Sequence, residues 1–272
     1  MATIQVYKNG SKAGVAGSNN LPEKRGEVTG WSVSAVRRHT AWLYSLNAEN
    51  FDGYGYAVTL TLKDTPASAA EFHALRRAYL MRLERKGLIR CHWVIEWQRR
   101  GTPHLHLAVY FAREMQGHAL EHVVISPWLK LAERFSANRE AQHIDEIKAV
   151  TGWNKYLSKH ASRGVKHYQR NGKPAGWVKT GRLWGYTGHW PSEMPIKQQV
   201  TQEQFYRYRR LCRAWRIADA RSEKNPETRA SRLTHARQML SCSDPRLSRV
   251  RGVSDWIPEE VAVSFLLLVC SE

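Results

Sequence analysis

A chain of 272 residues with 42 lysines and arginines against 24 aspartates and glutamates carries a net charge of +18, an excess that draws polyanions through counterion release. With 42% apolar residues it can bury one sizeable core, yet no apolar run is long enough to span a bilayer, and the polar stretch from Met1 to Asn20 lacks a signal-peptide core. Nucleic acid is therefore the expected partner of a soluble, intracellular protein, and a membrane is not. In chain order, residues 1–30 are rich in Gly, Ser, Asn and Lys and read as a flexible arm, with at most a short strand at Thr3 to Tyr7. Ser32 or Ser34 can cap a helix that runs to about Leu46. Tyr56 to Lys63 alternates, with Val58, Leu60 and Leu62 on one face and Thr59 and Thr61 on the other, which predicts a half-buried strand. Asp64 or Thr65 as cap, Pro66 in the first turn, the stripe Phe72, Leu75, Tyr79 and Leu83, and Gly87 past the end predict a helix over 66–86. Leu88 to Gln98 and His104 to Ala112 predict a hairpin, Ser126-Pro127 a helix to about Ala137, Gln142 to Ile147 a strand, and Thr151 to Arg163 a helix that stops at Gly164.

The order β-α-β-β-α-β-α indicates an α+β fold, a ferredoxin-like or split βαβ antiparallel sheet with helices on one side. Residues 31–200 form this expected core domain, and 201–272 a basic, mainly helical extension. Thr180 to Pro191 is aromatic and Gly-rich and reads as loop with short strands. From Phe205 to Arg251 there are 12 arginines, interleaved with Tyr206, Tyr208, Leu211 and Trp215, and a basic helix of this kind can track a phosphate backbone. Arg207 and Arg210 are its candidate DNA contacts. Val261 to Cys270 is apolar but too short to cross a membrane, and reads as a packed strand or helix or an oligomer contact. Cys91, Cys212, Cys242 and Cys270 lack paired spacing, so they are read as reduced packing residues.

The chemistry concentrates in the hairpin. On a strand His104 and His106 project to one face, while Leu105, Leu107, Val109 and Phe111 project to the other. A fold-back near Arg100 or Gly101 brings Glu96 opposite His104 or His106 with matching parity. Two imidazoles and a carboxylate suit Mg²⁺, Mn²⁺ or a later first-row ion and leave positions open for a phosphate oxygen, although such a pair on an amphipathic strand can also be merely solvated. On the next predicted helix the i, i+3 spacing sets Tyr156 and Lys159 on one face with Trp153 beside them. An ammonium eases formation of a phenolate and can hold a phosphate oxygen, which makes Tyr156 a candidate nucleophile and Lys159 its candidate partner. Arg100 and Lys155 are further candidate DNA contacts.

Taken together, Glu96, His104-Leu105-His106 and Tyr156-x-x-Lys159 resemble the HUH endonuclease superfamily, close in kind to rolling-circle replication initiators of phages and plasmids. Tyr56 to Leu62 looks like their first strand motif, and Thr180 to Pro191 is similar to a segment of replication proteins of filamentous bacteriophages; the resemblance covers about residues 30 to 192. It implies a divalent metal on Glu96, His104 and His106 and a nick made by Tyr156 through a 5′-phosphotyrosine. It also implies a single-stranded or hairpin DNA origin in a bacterial host cytoplasm, and host polymerase and helicase as partners. No Gly-x-x-x-x-Gly-Lys-Ser/Thr loop is present, so no fused helicase is visible. Some members of the superfamily carry a second nearby tyrosine, whereas Lys159 and His160 occupy those places here and Tyr168 lies beyond. A single-tyrosine transposase or relaxase, a non-catalytic DNA-binding regulator and a metal-dependent hydrolase are the competing readings.

Overall fold

The computed structural model describes residues 1–15, 26–148, 152, 153, 156, 160, 164–241 and 252–271. The chain divides into two compact units, one built from Met1–Glu23, Trp42–Asn47 and Ser192–Glu272, the other from Lys24–Ala41 and Ala48–Pro191. The strands described are β1 (Ala2–Tyr7), β2 (Gly10–Val15), β3 (Tyr54–Thr61), β4 (Leu88–Trp97), β5 (Pro103–Phe111), β6 (His143–Ile147), β7 (Trp184–Thr187), β8 (Ile196–Val200) and β9 (Val253–Asp255).

The larger unit is an antiparallel sheet in the order β6-β3-β5-β4-β7. β3 and β4 flank β5 and are linked by helix α2 (Ala69–Glu84), while β5 and β6 flank β3 and are linked by short helices. This is the expected α+β, split βαβ arrangement, carrying β7 as an added edge. Alternation does the sorting: Val58, Leu60, Ile95, Leu105 and Leu107 pack with Phe72, Leu75, Tyr79 and Leu83 of α2 in one core. Each such side chain contributes about 1.5–3 kcal/mol when fully buried. The opposite face, bearing Thr59, Thr61, Glu96, His104 and His106, is where the polar groups collect.

Helix boundaries follow local chemistry. Helix α1 (Val33–Ser45) begins after Ser32, whose Oγ accepts the Ala35 N–H at 3.1 Å. At α2 the cap is Ser68, which accepts the Glu71 N–H, and not Asp64 or Thr65. The helix expected from Ser126 starts earlier, at Gly117–Leu120, and passes through a wide turn at Glu121–Ile125 into Ser126–Leu131. Pro127 has no N–H to donate, and the widened turn accommodates it inside the helix where the sequence suggested a start. The chain then stops at Ser136, which takes a left-handed φ of 53°.

The smaller unit corrects the flexible arm. Residues expected to be loose form the hairpin β1–β2, inside an antiparallel sheet ordered β8-β1-β2-β9. Ala2, Ile4 and Val6 alternate inward, and the helices Gln202–Arg221 and Glu259–Cys270 cover them with Phe205, Tyr208, Cys212, Ala262 and Leu266. Tyr208 and Ser11 join hydroxyls at 2.5 Å in this core. The division therefore falls between Pro191 and Ser192 rather than after residue 200, and the basic extension shares its core with the chain's first strands. Cys91 and Cys212 are buried free thiols and Cys270 an exposed one, while Cys242 lies outside the described residues. Among the described residues no helix is long and apolar enough to cross a membrane.

Candidate active site

The site starts from the loop Gln98 to Thr102, which joins β4 to β5. Gly101 takes φ +87°, its N–H bonds Gln98 O at 2.9 Å, and Gln98 N–H bonds Thr102 O at 3.0 Å. That closure fixes the register so that Glu96 stands directly across from His104, and Val94 from His106. On the other side of β5, Thr61 faces His104 and Thr59 faces His106. The expected convergence of Glu96 with both histidines on one face is thus set by backbone pairing alone.

Side chains complete it. Thr59 Oγ1 lies 3.1 Å from His106 Nδ1 and Thr61 Oγ1 3.2 Å from His104 Nδ1, bonds that fix the orientation of both rings. At His106 the Nε2 edge then meets the fully buried Glu96, 3.3 Å from Oε2. The two imidazoles lie 4.5 Å apart by ring centroids. Glu96 Oε1 is approached by Arg170 Nε at 3.7 Å and His160 Nδ1 at 4.0 Å. The donor chemistry fits a hard divalent cation. Among the described residues, though, no three such groups stand in a ready-made coordination cluster; Glu96 spends its second oxygen on a buried guanidinium.

Above this face runs a helical stretch of which Gly152, Trp153, Tyr156 and His160 are described. Lys155 and Lys159, singled out as a DNA contact and as the partner of Tyr156, lie outside the described residues. Small residues make room for the stretch: Ala57 and Ala108 pair directly across β3 and β5 on the sheet face that bears the histidines. Trp153 stacks on Tyr156 at 5.3 Å and touches Phe51 and Tyr110. His160 packs on His106 at 5.1 Å, and Tyr156 on His160 at 4.6 Å. Tyr156 itself is only 7% exposed, and its hydroxyl is 3.1 Å from His92 Nδ1. His160 thus packs against both Tyr156 and His106.

Beside the β4–β5 loop an open hollow of about 570 Å³ is lined by Gln98, Arg99, Arg100, Tyr168 and Lys173 among others. Gln98 Nε2 reaches to 3.5 Å from His104 Nδ1, which ties this hollow to the histidine face. Arg99 lies over the Tyr168 ring at 5.5 Å, and His167 stacks on that ring at 4.8 Å. Arg100, a candidate DNA contact, lines the hollow and donates to Leu62 O. Arg207 and Arg210 sit on the helix Gln202–Arg221 of the other unit, Arg210 exposed and Arg207 half-buried.

Sequence reasoning missed Arg170, His92 and His39, and named His160 only as a place where a tyrosine is absent. Arg170 is buried, lies over Trp31 at 4.3 Å and donates to His160 O at 2.9 Å. Nothing in its local sequence distinguishes it from the many solvated arginines. His92 had a signal: it shares parity with Glu96 on a strand otherwise apolar.

Comparison with known proteins meets this geometry. The family model for replication-associated proteins of the ORF2 and gene-2-protein type matches residues 55–174, the span of the larger sheet and its site. A Xylella fastidiosa (strain 9a5c) protein named for replication is 44% identical over 97% of this chain and 95% of its own length. A second, from strain Temecula1, is 44% identical over 94% and 99%. A replication-associated protein of Pseudomonas phage Pf3, of the same gene-2-protein type, is 37% identical over 100% of this chain and 98% of its own. Similarity of that depth spans both units, and the chain belongs to this family of replication-associated proteins.

Proposed function

We propose that this protein starts rolling-circle DNA replication by nicking one strand at a specific origin, single-stranded or folded as a hairpin, in a bacterial host cytoplasm. One observation carries the reading: Glu96 faces His104 across the β4–β5 pair with His106 Nε2 3.3 Å from its carboxylate, in a chain of the replication-associated family. Mg²⁺ or Mn²⁺ held by Glu96, His104 and His106 supplies positive charge to the scissile phosphate. The Tyr156 oxygen attacks phosphorus, a 5′-phosphotyrosine forms, and the 3′-oxygen leaves as a free hydroxyl. The ester energy is kept in the adduct, so a 3′-hydroxyl can rejoin a strand without ATP. The released hydroxyl primes a host polymerase, with a host helicase opening the duplex. Arg100 and Lys173 in the hollow, and Arg207 and Arg210 on the basic helix, hold phosphates along the strand.

Exposure of Tyr168 favours a second reading of the nucleophile. That phenol is 53% exposed beside Arg99 in the basic hollow, whereas Tyr156 is buried. Incubation of labelled single-stranded origin oligonucleotide with Mn²⁺ separates the two. Wild type and Tyr168→Phe are expected to yield a denaturation-resistant adduct and Tyr156→Phe none. Adduct lost only in Tyr168→Phe reassigns the nucleophile, and cleavage by both without adduct makes the protein a hydrolase. His104→Ala is expected to abolish the adduct while salt-sensitive binding persists.

A further inference from the structure

Behind Tyr156 lies a chain of buried polar groups that the nicking scheme does not use. The Tyr156 hydroxyl is 3.1 Å from His92 Nδ1, and His92 Nε2 is 3.0 Å from His39 Nε2 on α1. His92 and His39 stack at 5.1 Å, and His39 packs against Trp184 at 4.8 Å and Trp31 at 5.9 Å. His92 and His39 are completely enclosed. A buried tyrosine needs one hydrogen-bond partner, and a carbonyl would serve; here the partner is an imidazole, itself held by a second imidazole.

Resting on the reading that Tyr156 is the nucleophile, we propose that His92 is the general base that takes the phenol proton, and that His39 is its positioning residue. Two Nε2 atoms that face each other share one hydrogen. With that hydrogen on His92, its Nδ1 presents a lone pair and Tyr156 O–H donates to it. In the forward step the Tyr156 oxygen bonds to phosphorus, the phenol proton passes to His92 Nδ1, and the bond from phosphorus to the 3′-oxygen breaks. The 3′-oxygen leaves with that electron pair and takes a proton from water. On rejoining, a 3′-hydroxyl attacks, gives its proton to water, and His92 returns its proton to the phenol.

The surroundings keep the acceptor ready. Burial pushes His92 down to about 3 and His39 well below the usual imidazole range, with His92 and Arg170 depressing His39 further. Facing His92 are His39 from α1, Tyr156 from the overlying helix and Tyr186 directly across on β7. No carboxylate is among these groups, so nothing in this set holds the imidazole protonated in the resting enzyme, and it meets the phenol as a neutral base.

The test is single-turnover adduct formation on an origin oligonucleotide with Mn²⁺ between about pH 7 and 9. His92→Asn keeps a polar atom near Nδ1 but cannot take a proton. It is expected to be about 100-fold slower, its rate rising about tenfold per pH unit where wild type is level, with DNA binding and thermal midpoint unchanged. His39→Gln is expected to slow the reaction less and keep the level profile. Rejoining is expected to slow as much as nicking. A His92→Asn protein with wild-type rate, or slow but with a level profile, overturns the proposal. Should that variant fail to fold, wild type in D₂O decides: slower adduct formation supports a proton in flight, and equal rates overturn it. Adduct formed by Tyr156→Phe instead refutes the nucleophile assignment on which the proposal rests.

Discussion

At the scale of single residues, the paired imidazoles His39 and His92 couple stability to acidity. Both are held below their ordinary range in the folded chain, so between about pH 6.5 and 3 the unfolded chain binds more protons and stability falls as pH falls. Each such group contributes up to about 1.4 kcal/mol per pH unit inside that window. Urea denaturation followed from neutral to mildly acidic pH is expected to show this loss, and His39→Phe to lower its slope by about 1.4 kcal/mol per pH unit. Equal slopes in the two proteins exclude His39 as a source of acid lability. These residues also mark where the sequence was silent. Glu96, His104 and His106 were legible because strand parity and one short loop dictate who faces whom. Arg170 and His39 reach the site from a distant turn and an unrelated helix, and no local period encodes such an approach.

At the scale of elements, β7 shows how a glycine secures an edge. Gly188 follows the strand with φ +76°, and a Cβ there would collide with the backbone oxygen of Ile89. Backbone cannot yield as a side-chain tip can, so Gly188→Ala is expected to cost about 1–3 kcal/mol and to loosen the pairing of β7 with β4. Hydrogen exchange at Trp184 to Thr187 checks this; unchanged protection there removes the glycine from any role in the edge. Strands β3 to β6 and helix α2 were readable because alternation, a helical stripe and capping residues agreed with one another. The hairpin β1–β2 was not, because Asn9, Gly10, Ser11 and Gly14 carry the composition of a loop. Its strand character comes from Ile196–Val200 and Val253–Asp255 pairing along its two edges, information that lies far away in the chain.

At the scale of the molecule, a charge of +18 makes DNA affinity a function of ionic strength. For single strands the logarithm of affinity falls with the logarithm of salt by about 0.7 per neutralised phosphate. Arg210→Ala is therefore expected to weaken binding and to reduce that slope by about 0.7, while nicking at saturating DNA holds its rate. A titration in which the slope is unchanged removes Arg210 from the DNA contacts.

The four-stranded sheet has an implication for biosynthesis. β1 and β2 leave the ribosome first, but both of their outer edges are filled by β8 and β9, which emerge much later. Until then the hairpin offers two open edges to any extended peptide nearby, a hazard for aggregation. The sheet of the larger unit needs no strand beyond β7 and can close in the meantime. Messages cut short after Pro191 are therefore expected to release a chain whose larger sheet is assembled while its opening hairpin remains adhesive.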